Sequence, residues 1–460
     1  MAPTLGPDIP PSSSLSPYGR PAQPRSRSSS SFLQSSGDNV TIGSSPAYSS
    51  SSVSIPFEDG DVDVVRVEGL RHSDARLEAR RQSQLVVEQE GELYPGLLLV
   101  TLQNHSLLDA TSSDTPFVES ANMGQSRDHG NQDVSGTRIV LLRIYGPSSD
   151  SMISRPRELQ TLYVLSSQYH IGPRVYGTFE NGRVEEYFDA LTLTAADLRD
   201  PKISSWIAAR MAELHGVNVE DVEQRQVGDD EKSIAVERNV KSWLGFAREV
   251  LALPSASDAI RQELDLDGFE QEWERYRLWL HKQNTSGLGN TRVFAHNDTQ
   301  YGNLLRLKSL KEGQPEHRQI IVVDFEYAAP NPAAFDIANH FHEWTANYHS
   351  DTPHVLDPAL YPTTEQRRNF YRSYIQHVAS GAKLSAGPSG DALEVELQNL
   401  DRQVRAWSPA SHAMWALWGI VQAREYVEGK DGDPEFDYLG YARCRMQGFR
   451  RETRELGVPL

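Results

Sequence analysis

The stretch Val293-Phe-Ala-His-Asn-Asp-Thr-Gln-Tyr-Gly-Asn-Leu-Leu-Arg306, with Ile320-Ile-Val-Val-Asp-Phe-Glu-Tyr327 after it, constrains this chain more than any other. It sets out His296-x-Asp298, then Asn303 five residues on, then Asp324 closing an apolar, β-branched run. Such a run reads as a buried strand that delivers an acid at its end. Taken alone, His-x-Asp is an ordinary turn. Asp298, Asn303 and Asp324 together, on one loop and one strand end, match the needs of phosphoryl transfer. That reaction wants a carboxylate to orient an attacking hydroxyl and accept its proton, and two oxygen ligands to hold Mg²⁺ against nucleotide phosphates. His296 is read as a buttress of the loop rather than a base.

The rest of the 460-residue chain is organised around this segment. Residues 1–60 hold 18 Ser and 9 Pro, too little apolar area to offset ordering, so this part is expected to be a disordered tail. A polar stretch from Thr101 to Thr137 reads as a long insertion between two strands. Strands are expected over Arg138–Tyr145, Gly172–Phe179 and Gly182–Phe188, the last two around a turn at Asn181-Gly182, with a helix over Ser154–Tyr169 between them. From Ala190 the pattern is mainly helical, with helices expected over Pro201–Gly216, Val236–Leu253, Asp267–Gln283, Thr364–Ala379 and Ala392–Gln422. The expected architecture is α+β and two-lobed: a small β-rich lobe over 61–188 and a large helical lobe over 189–460. A net charge of −18 argues against a protein that grips nucleic acid. The single cysteine, Cys444, excludes an internal disulfide framework and fits a reducing, cytoplasmic setting. No apolar run is long enough to span a membrane, and the N-terminus has no secretory apolar segment.

The order Asp, Asn five residues on and a strand-end Asp before Phe is that of protein kinases, but Asp324-Phe is followed by Glu, and no Ala-Pro-Glu segment follows. The full strings resemble the choline/ethanolamine kinase family instead. They are His296-Asn-Asp-x-Gln-x-Gly-Asn303, Asp324-Phe-Glu-Tyr327 and Phe335-Asp-Ile-Ala-Asn-His-Phe-His-Glu-Trp344. The resemblance takes in Leu141–Gly146, Gly172–Gly177, Met211–Gly216 and Ala410–Ala423, and so runs from about Thr137 to Met446. It implies a protein-kinase-like fold, ATP and Mg²⁺ as cofactors, choline as substrate and a homodimer. Asp298 would act on the choline hydroxyl, Gln300 and His296 would support the loop, and Asn303 and Asp324 would hold Mg²⁺.

Trp415 and Trp418 stand three apart in an expected helix and share a face. On spacing alone they read as core. A quaternary ammonium has no N–H to donate, however, and is recognised by aromatic faces beside a negative charge. The resemblance places this pair in the choline pocket with Tyr348, Tyr441 and Glu343, whereas ethanolamine-preferring relatives lack it. Asp336, His340 and Glu343 recur at helical spacing and are read as a supporting network, with zinc held by His340, His342 and Glu343 as the lesser reading. Arg143 matches the family's basic residue that pairs with nucleotide phosphates. The glycine-rich phosphate loop should lie upstream, where Gly91-Glu-Leu-Tyr-Pro-Gly96 is the only candidate and departs from the family pattern. That departure keeps a silent, binding-only homologue open, beside a kinase that prefers ethanolamine or another amino alcohol.

Overall fold

The computed structural model describes residues 72–73, 97–102, 138–144, 152, 154–179, 182–223, 233–283, 287–381, 388–430 and 436–459. The Ser/Pro-rich tail, the 91–96 segment and residues 103–137 of the polar insertion lie outside them.

Five strands form the first sheet in the order β1-β4-β5-β3-β2: β1 (His72–Ser73), β2 (Leu97–Leu102), β3 (Arg138–Ile144), β4 (Val175–Phe179) and β5 (Gly182–Glu186). β2 pairs antiparallel with β3, Leu102 opposite Arg138, so the polar insertion joins two neighbouring strands and begins one residue after Thr101 and Leu102 have closed β2. Helix α1 (Arg155–Val164) follows β3. The helix expected to reach Tyr169 instead widens into an i→i+5 turn over Leu165–Tyr169. Ser167 Oγ donates to the Tyr163 carbonyl at 2.6 Å, one of the local side-chain bonds that compete with a regular helix end.

Beyond β5 the molecule is mostly helical. In chain order the helices are α2 (Pro201–His215), α3 (Val219–Val222), α4 (Ala235–Ala252), α5 (Asp258–Leu264), α6 (Leu266–Lys282), α7 (Ala333–Glu343), α8 (Thr364–Gly381), α9 (Asp391–Gln422), α10 (Arg424–Val427) and α11 (Tyr438–Glu455). Two starts show why these ends fall where they do. Asp200 accepts from the amides of Lys202 and Ile203 with Pro201 at the first helical position, and Asp437 accepts from Gly440 N. α9 is the spine of this lobe and packs against α11, α4, α7 and α8.

Five short strands interrupt the region that the sequence reads as mainly helical. β6 (Ala190–Thr192), β8 (Leu304–Leu307) and β9 (Ile320–Val322) form one sheet, and β7 (Arg292–Ala295) pairs with β10 (Ala329–Pro332). They carry the polar strings between them and hold the loop 296–303 against the strand end at Val322. β9 is shorter than the expected Ile320–Tyr327 strand because Asp324 has φ 68°, a left-handed conformation that ends the extended run.

Candidate active site

The loop after β7 is built by buried polar contacts. Asn297 also has positive φ (65°), which asparagine tolerates better than most residues. Its side-chain amide donates to the carbonyls of Tyr327 and Ala329, and its Oδ1 accepts from Asn331. Asp336 in α7 accepts from the backbone N–H groups of both His296 and Asn297, at 3.0 and 2.8 Å, and from His215 Nε2 at 3.0 Å. Burial pushes the Asp336 carboxyl up, but His215 and the loop amides outweigh it and hold it below its ordinary value. His340 Nδ1 donates to the Thr299 carbonyl, and its Nε2 accepts from the Trp344 indole. Burial lowers the His340 imidazole to about 4, so it stays neutral. α7 thus clamps the loop through Asp336, His340 and Asn339, whose Nδ2 donates to the Asn297 carbonyl.

His296 is locked in the same way. Its Nδ1 accepts from Asp298 N and its Nε2 donates to the Val323 carbonyl, so neither ring nitrogen is available to a substrate. Burial lowers its basicity as well.

The acids converge. Asn303, fully buried, donates through Nδ2 to the Asp298 carbonyl (2.9 Å) and to Asp298 Oδ2 (3.0 Å). Its own carbonyl accepts from Val323 N, which ties it to the turn that carries Asp324. Asn303 Oδ1 has no hydrogen-bond partner. A buried amide oxygen left so beside two acids is the donor a hard cation takes. Burial first, then the charges of Glu343 and Asp324, push the Asp298 carboxyl well above its usual range, against the pull of Asn303 and Gln300. A cation bound beside Asp298 would favour its ionised form.

Glu326, two residues past Asp324, is buried with both carboxylate oxygens outside any hydrogen bond, and Arg155 Nη1 lies 3.6 Å away. Burial and the charges of Asp324 and Glu158 push it up too. Arg143 reaches across from β3, with Nη1 3.6 Å from Asp324 Oδ1 and Nε 3.6 Å from Glu185 Oε1. The sequence-expected cation is thus aimed at the acid cluster.

The aromatic residues form one wall on α9 and α11. Trp415 and Trp418 meet edge to face at 5.3 Å between centroids. Tyr327 stands 5.3 Å from Trp415, and Tyr441 5.9 Å from Trp418. The indole N–H groups are tied back, Trp415 to Asn339 Oδ1 (2.7 Å) and Trp418 to the Tyr327 hydroxyl (2.8 Å). The charges of Glu343 and Asp298 both contribute to the raised Tyr441 hydroxyl, behind burial and the opposing Arg445, so this wall stands by the carboxylates. Glu343 accepts from the Tyr348 hydroxyl at 2.7 Å and from Arg445 Nη2 at 2.9 Å. Arg445 also donates to the Tyr441 hydroxyl and lies over its ring. Glu343 is therefore not a bare charge, because Arg445 offsets it. His340, His342 and Glu343 share no centre, since His340 and Glu343 are each committed elsewhere and His342 turns toward Ser408 and His412.

Sequence reasoning missed Arg445, Tyr327, Asn339 and Glu326. The spacing of Tyr441 and Arg445, four apart, held a signal for the first. The others sit inside strings already quoted, with only the fold to give them partners.

The choline/ethanolamine kinase family profile matches residues 124–450. The choline kinase of Schizosaccharomyces pombe is 35% identical over 363 residues, covering 69% of this chain and 78% of that protein. The choline kinase of Saccharomyces cerevisiae is 33% identical, covering 69% and 67%. Among solved structures, an ethanolamine kinase of Plasmodium vivax superposes with a TM-score of 0.55 at 24% identity, covering 70% of this chain and 79% of its own. The two-lobed, protein-kinase-like architecture and these matches agree: the chain belongs to the choline/ethanolamine kinase family.

Proposed function

We propose that this protein transfers the γ-phosphoryl group of ATP to the hydroxyl of choline, giving phosphocholine and ADP, the first step of phosphatidylcholine synthesis from free choline. The observation that carries the reading is the buried meeting of Asp298 with Asn303, Asp324 and the aromatic wall. Asp298 orients the choline hydroxyl and accepts its proton as the oxygen attacks phosphorus. Gln300 favours the ionised form of that carboxylate and supports the loop, and His296, both nitrogens engaged, holds the loop. Asn303 and Asp324 are the ligands for Mg²⁺, with Glu326 as a further oxygen donor. The ion supplies positive charge against the phosphate oxygens. Arg143 reaches the phosphates from the sheet side, with residues 61–188 as the nucleotide lobe and 189–460 as the choline lobe.

Trp415, Trp418, Tyr348 and Tyr441 enclose the trimethylammonium head, each aromatic face contributing roughly 0.5–2 kcal/mol. With Glu343 paired to Arg445, the charge that most favours the ammonium is Asp298 itself, which couples substrate binding to the state of the base. By family likeness the enzyme is a homodimer, and one unpaired cysteine fits a cytoplasmic setting.

The test incubates purified protein with Mg²⁺, ATP and either choline or ethanolamine, and measures ADP and phosphorylated product. Choline is the preferred acceptor. Asp298→Ala lowers kcat by about 10²–10⁴-fold and weakens choline binding, which the aromatic wall keeps partly in place. Near-normal turnover in that variant removes Asp298 as the base, and no turnover by the unaltered protein on any amino alcohol leaves a binding-only homologue.

A further inference from the structure

Behind the aromatic wall lies a second polar cluster that the phosphoryl-transfer chemistry does not use. His342 ends α7, His412 stands on α9 one turn before Trp415, and Glu452 lies two turns after Arg445 on α11. One donor atom from each lies within 4.8 Å of the others. His412 Nε2 is 3.3 Å from Glu452 Oε1, and His342 Nε2 is 3.8 Å from Glu452 Oε2. The two imidazoles face one another with centroids 4.0 Å apart.

We propose that His342, His412 and Glu452 form a structural site for a divalent transition metal of the zinc type, which pins α7, α9 and α11 together beneath the ammonium pocket.

Three observations point to a ligand rather than to a self-satisfied network. First, His412 is only 3% exposed, yet neither of its ring nitrogens makes a hydrogen bond, and Glu452 Oε2 has none either. Buried polar atoms in such a state call for an explanation, and a bound ion is one. Second, the spacing fits. Bonds of about 2.0–2.2 Å at tetrahedral angles set donor atoms about 3.3–3.6 Å apart, close to the two separations above. Third, the donor set is suitable. Two neutral imidazoles and one carboxylate are a recurrent set for zinc, and His342 Nε2, now bonded to Ser408 Oγ at 2.9 Å with the Ser408 carbonyl at 3.3 Å, would exchange these contacts for the metal. Burial holds both imidazoles down, which keeps them in the neutral form that binds metal.

The surroundings are built for a fixed ring. A Cβ at Gly448 would lie 2.6 Å from His412 Cε1 and Nε2, so only glycine lets α11 pass this close. Arg445 on α11 is bonded to Glu343 and Tyr441, and its charge joins burial in holding both imidazoles neutral. Each ligand helix also carries a residue of the pocket: Glu343 beside His342, Trp415 after His412, and Arg445 before Glu452. A metal here would fix the spacing of that pocket from behind without touching substrate.

The test uses full-length protein stripped with a chelator and held in excess Mg²⁺, so that the oxygen-rich nucleotide site is filled. Co²⁺ is then titrated in. The expected result is an intense visible absorption of four- or five-coordinate Co²⁺ that saturates near one ion per chain and is displaced by Zn²⁺. Zn²⁺ should also raise the melting temperature. Glu452→Gln keeps the shape of the side chain and removes the anionic ligand. It should weaken Co²⁺ binding by at least about tenfold and abolish the Zn²⁺ shift, with His412→Ala doing the same. Zinc-edge absorption of the unaltered, loaded protein gives a reading independent of whether the variants fold, and it should show imidazole and carboxylate in the first shell. The absence of the Co²⁺ band, equal affinity in folded Glu452→Gln, or a shell of six oxygens would each overturn the site.

Discussion

At the scale of single residues, the site is dominated by charge that burial has made expensive. Asp298 carries a carboxyl pushed up by burial and by Glu343 and Asp324, so below that raised value it is protonated and cannot accept the hydroxyl proton. The acid limb of kcat/KM should therefore sit above the range of an ordinary aspartate. Raising Mg²⁺ and ATP toward saturation should move the limb of kcat to lower pH, because added positive charge favours the ionised form. Rate–pH profiles at low and saturating Mg²⁺ check this, and a limb that stays fixed would detach Asp298 from the cation cluster. The tryptophans call for a choice of probe. Removing Trp415 also takes one of two donors from Asn339 Oδ1, leaving Ser411 Oγ as the other, and Asn339 anchors the catalytic loop through Asn297, so its loss mixes binding with a perturbed loop. The Trp418 indole N–H donates instead to the Tyr327 hydroxyl. Trp418→Leu should raise the choline KM by about 2–30-fold, the equivalent of one cation–π face of 0.5–2 kcal/mol. Ethanolamine, which can donate hydrogen bonds instead, should lose less, and steady-state kinetics on both acceptors measures the difference.

At the scale of elements, α7, α9 and α11 meet through a few close approaches that no periodicity reveals. A Cβ on Gly419 of α9 would lie 2.9 Å from the Tyr438 carbonyl, 3.2 Å from Tyr441 Cδ1 and 3.2 Å from Ala442 Cβ. Helix propensity alone favours alanine there by about 1 kcal/mol. The contact is with backbone, however, so α11 must move, at a cost of about 1–3 kcal/mol. Gly419→Ala should therefore lower or barely change stability in urea titrations, against its propensity, while raising the choline KM through the displaced Tyr441. The same elements show what was legible in the sequence. Asp298, Asn303 and Asp324 could be named because their chemistry demands a fixed order and spacing along the chain. Helices α1, α2, α4, α6, α8 and α9 announced themselves through apolar spacing, as did the strand at β3, whereas α11 was not foreseen. Short strands such as β6 and β10 did not, since three or four residues carry too little pattern to separate from a loop. The end of β9 at Val322 depends on a positive φ that an aspartate does not advertise. Beyond its place four residues after Tyr441, Arg445 gave no sign of its role, because its main partner is Glu343, which is distant in sequence and meets it only when α7 and α11 pack.

At the scale of the whole molecule, one buried ionic chain joins the sheet to the acid cluster. Arg183 donates to Glu158 at 2.7 Å and to Glu185 at 2.8 Å. Arg155 donates to Glu158 at 2.7 Å and lies 3.6 Å from Glu326. Arg143 bridges Glu185 and Asp324. Through these contacts the position of α1 and the order of β3 and β5 are felt at the phosphate side of the cleft. Burial alone would push the Glu158 carboxyl up, but Arg183, Arg155 and Arg143 outweigh it and hold it at about 2. A carboxyl lowered from 4.5 to about 2 on folding contributes stability that is complete above about 4.5 and disappears as pH falls toward 2. Glu158→Gln leaves Arg183 and Arg155 buried without their shared anion, which should cost about 3–5 kcal/mol near neutral pH. Because the unaltered protein loses its own contribution as acid is added, the gap between the two should narrow steadily from pH 4.5 downward. Urea midpoints at neutral pH and at two acidic pH values measure it. The loss should appear in the affinity for Mg²⁺ and ATP as well, since Arg155, which loses Glu158 as a partner, stands 3.6 Å from Glu326 beside the acid cluster. A gap that is constant with pH would mean that Glu158 is retained for packing alone, and that the sheet and the acid cluster are held together by apolar contact instead of by this chain of charges.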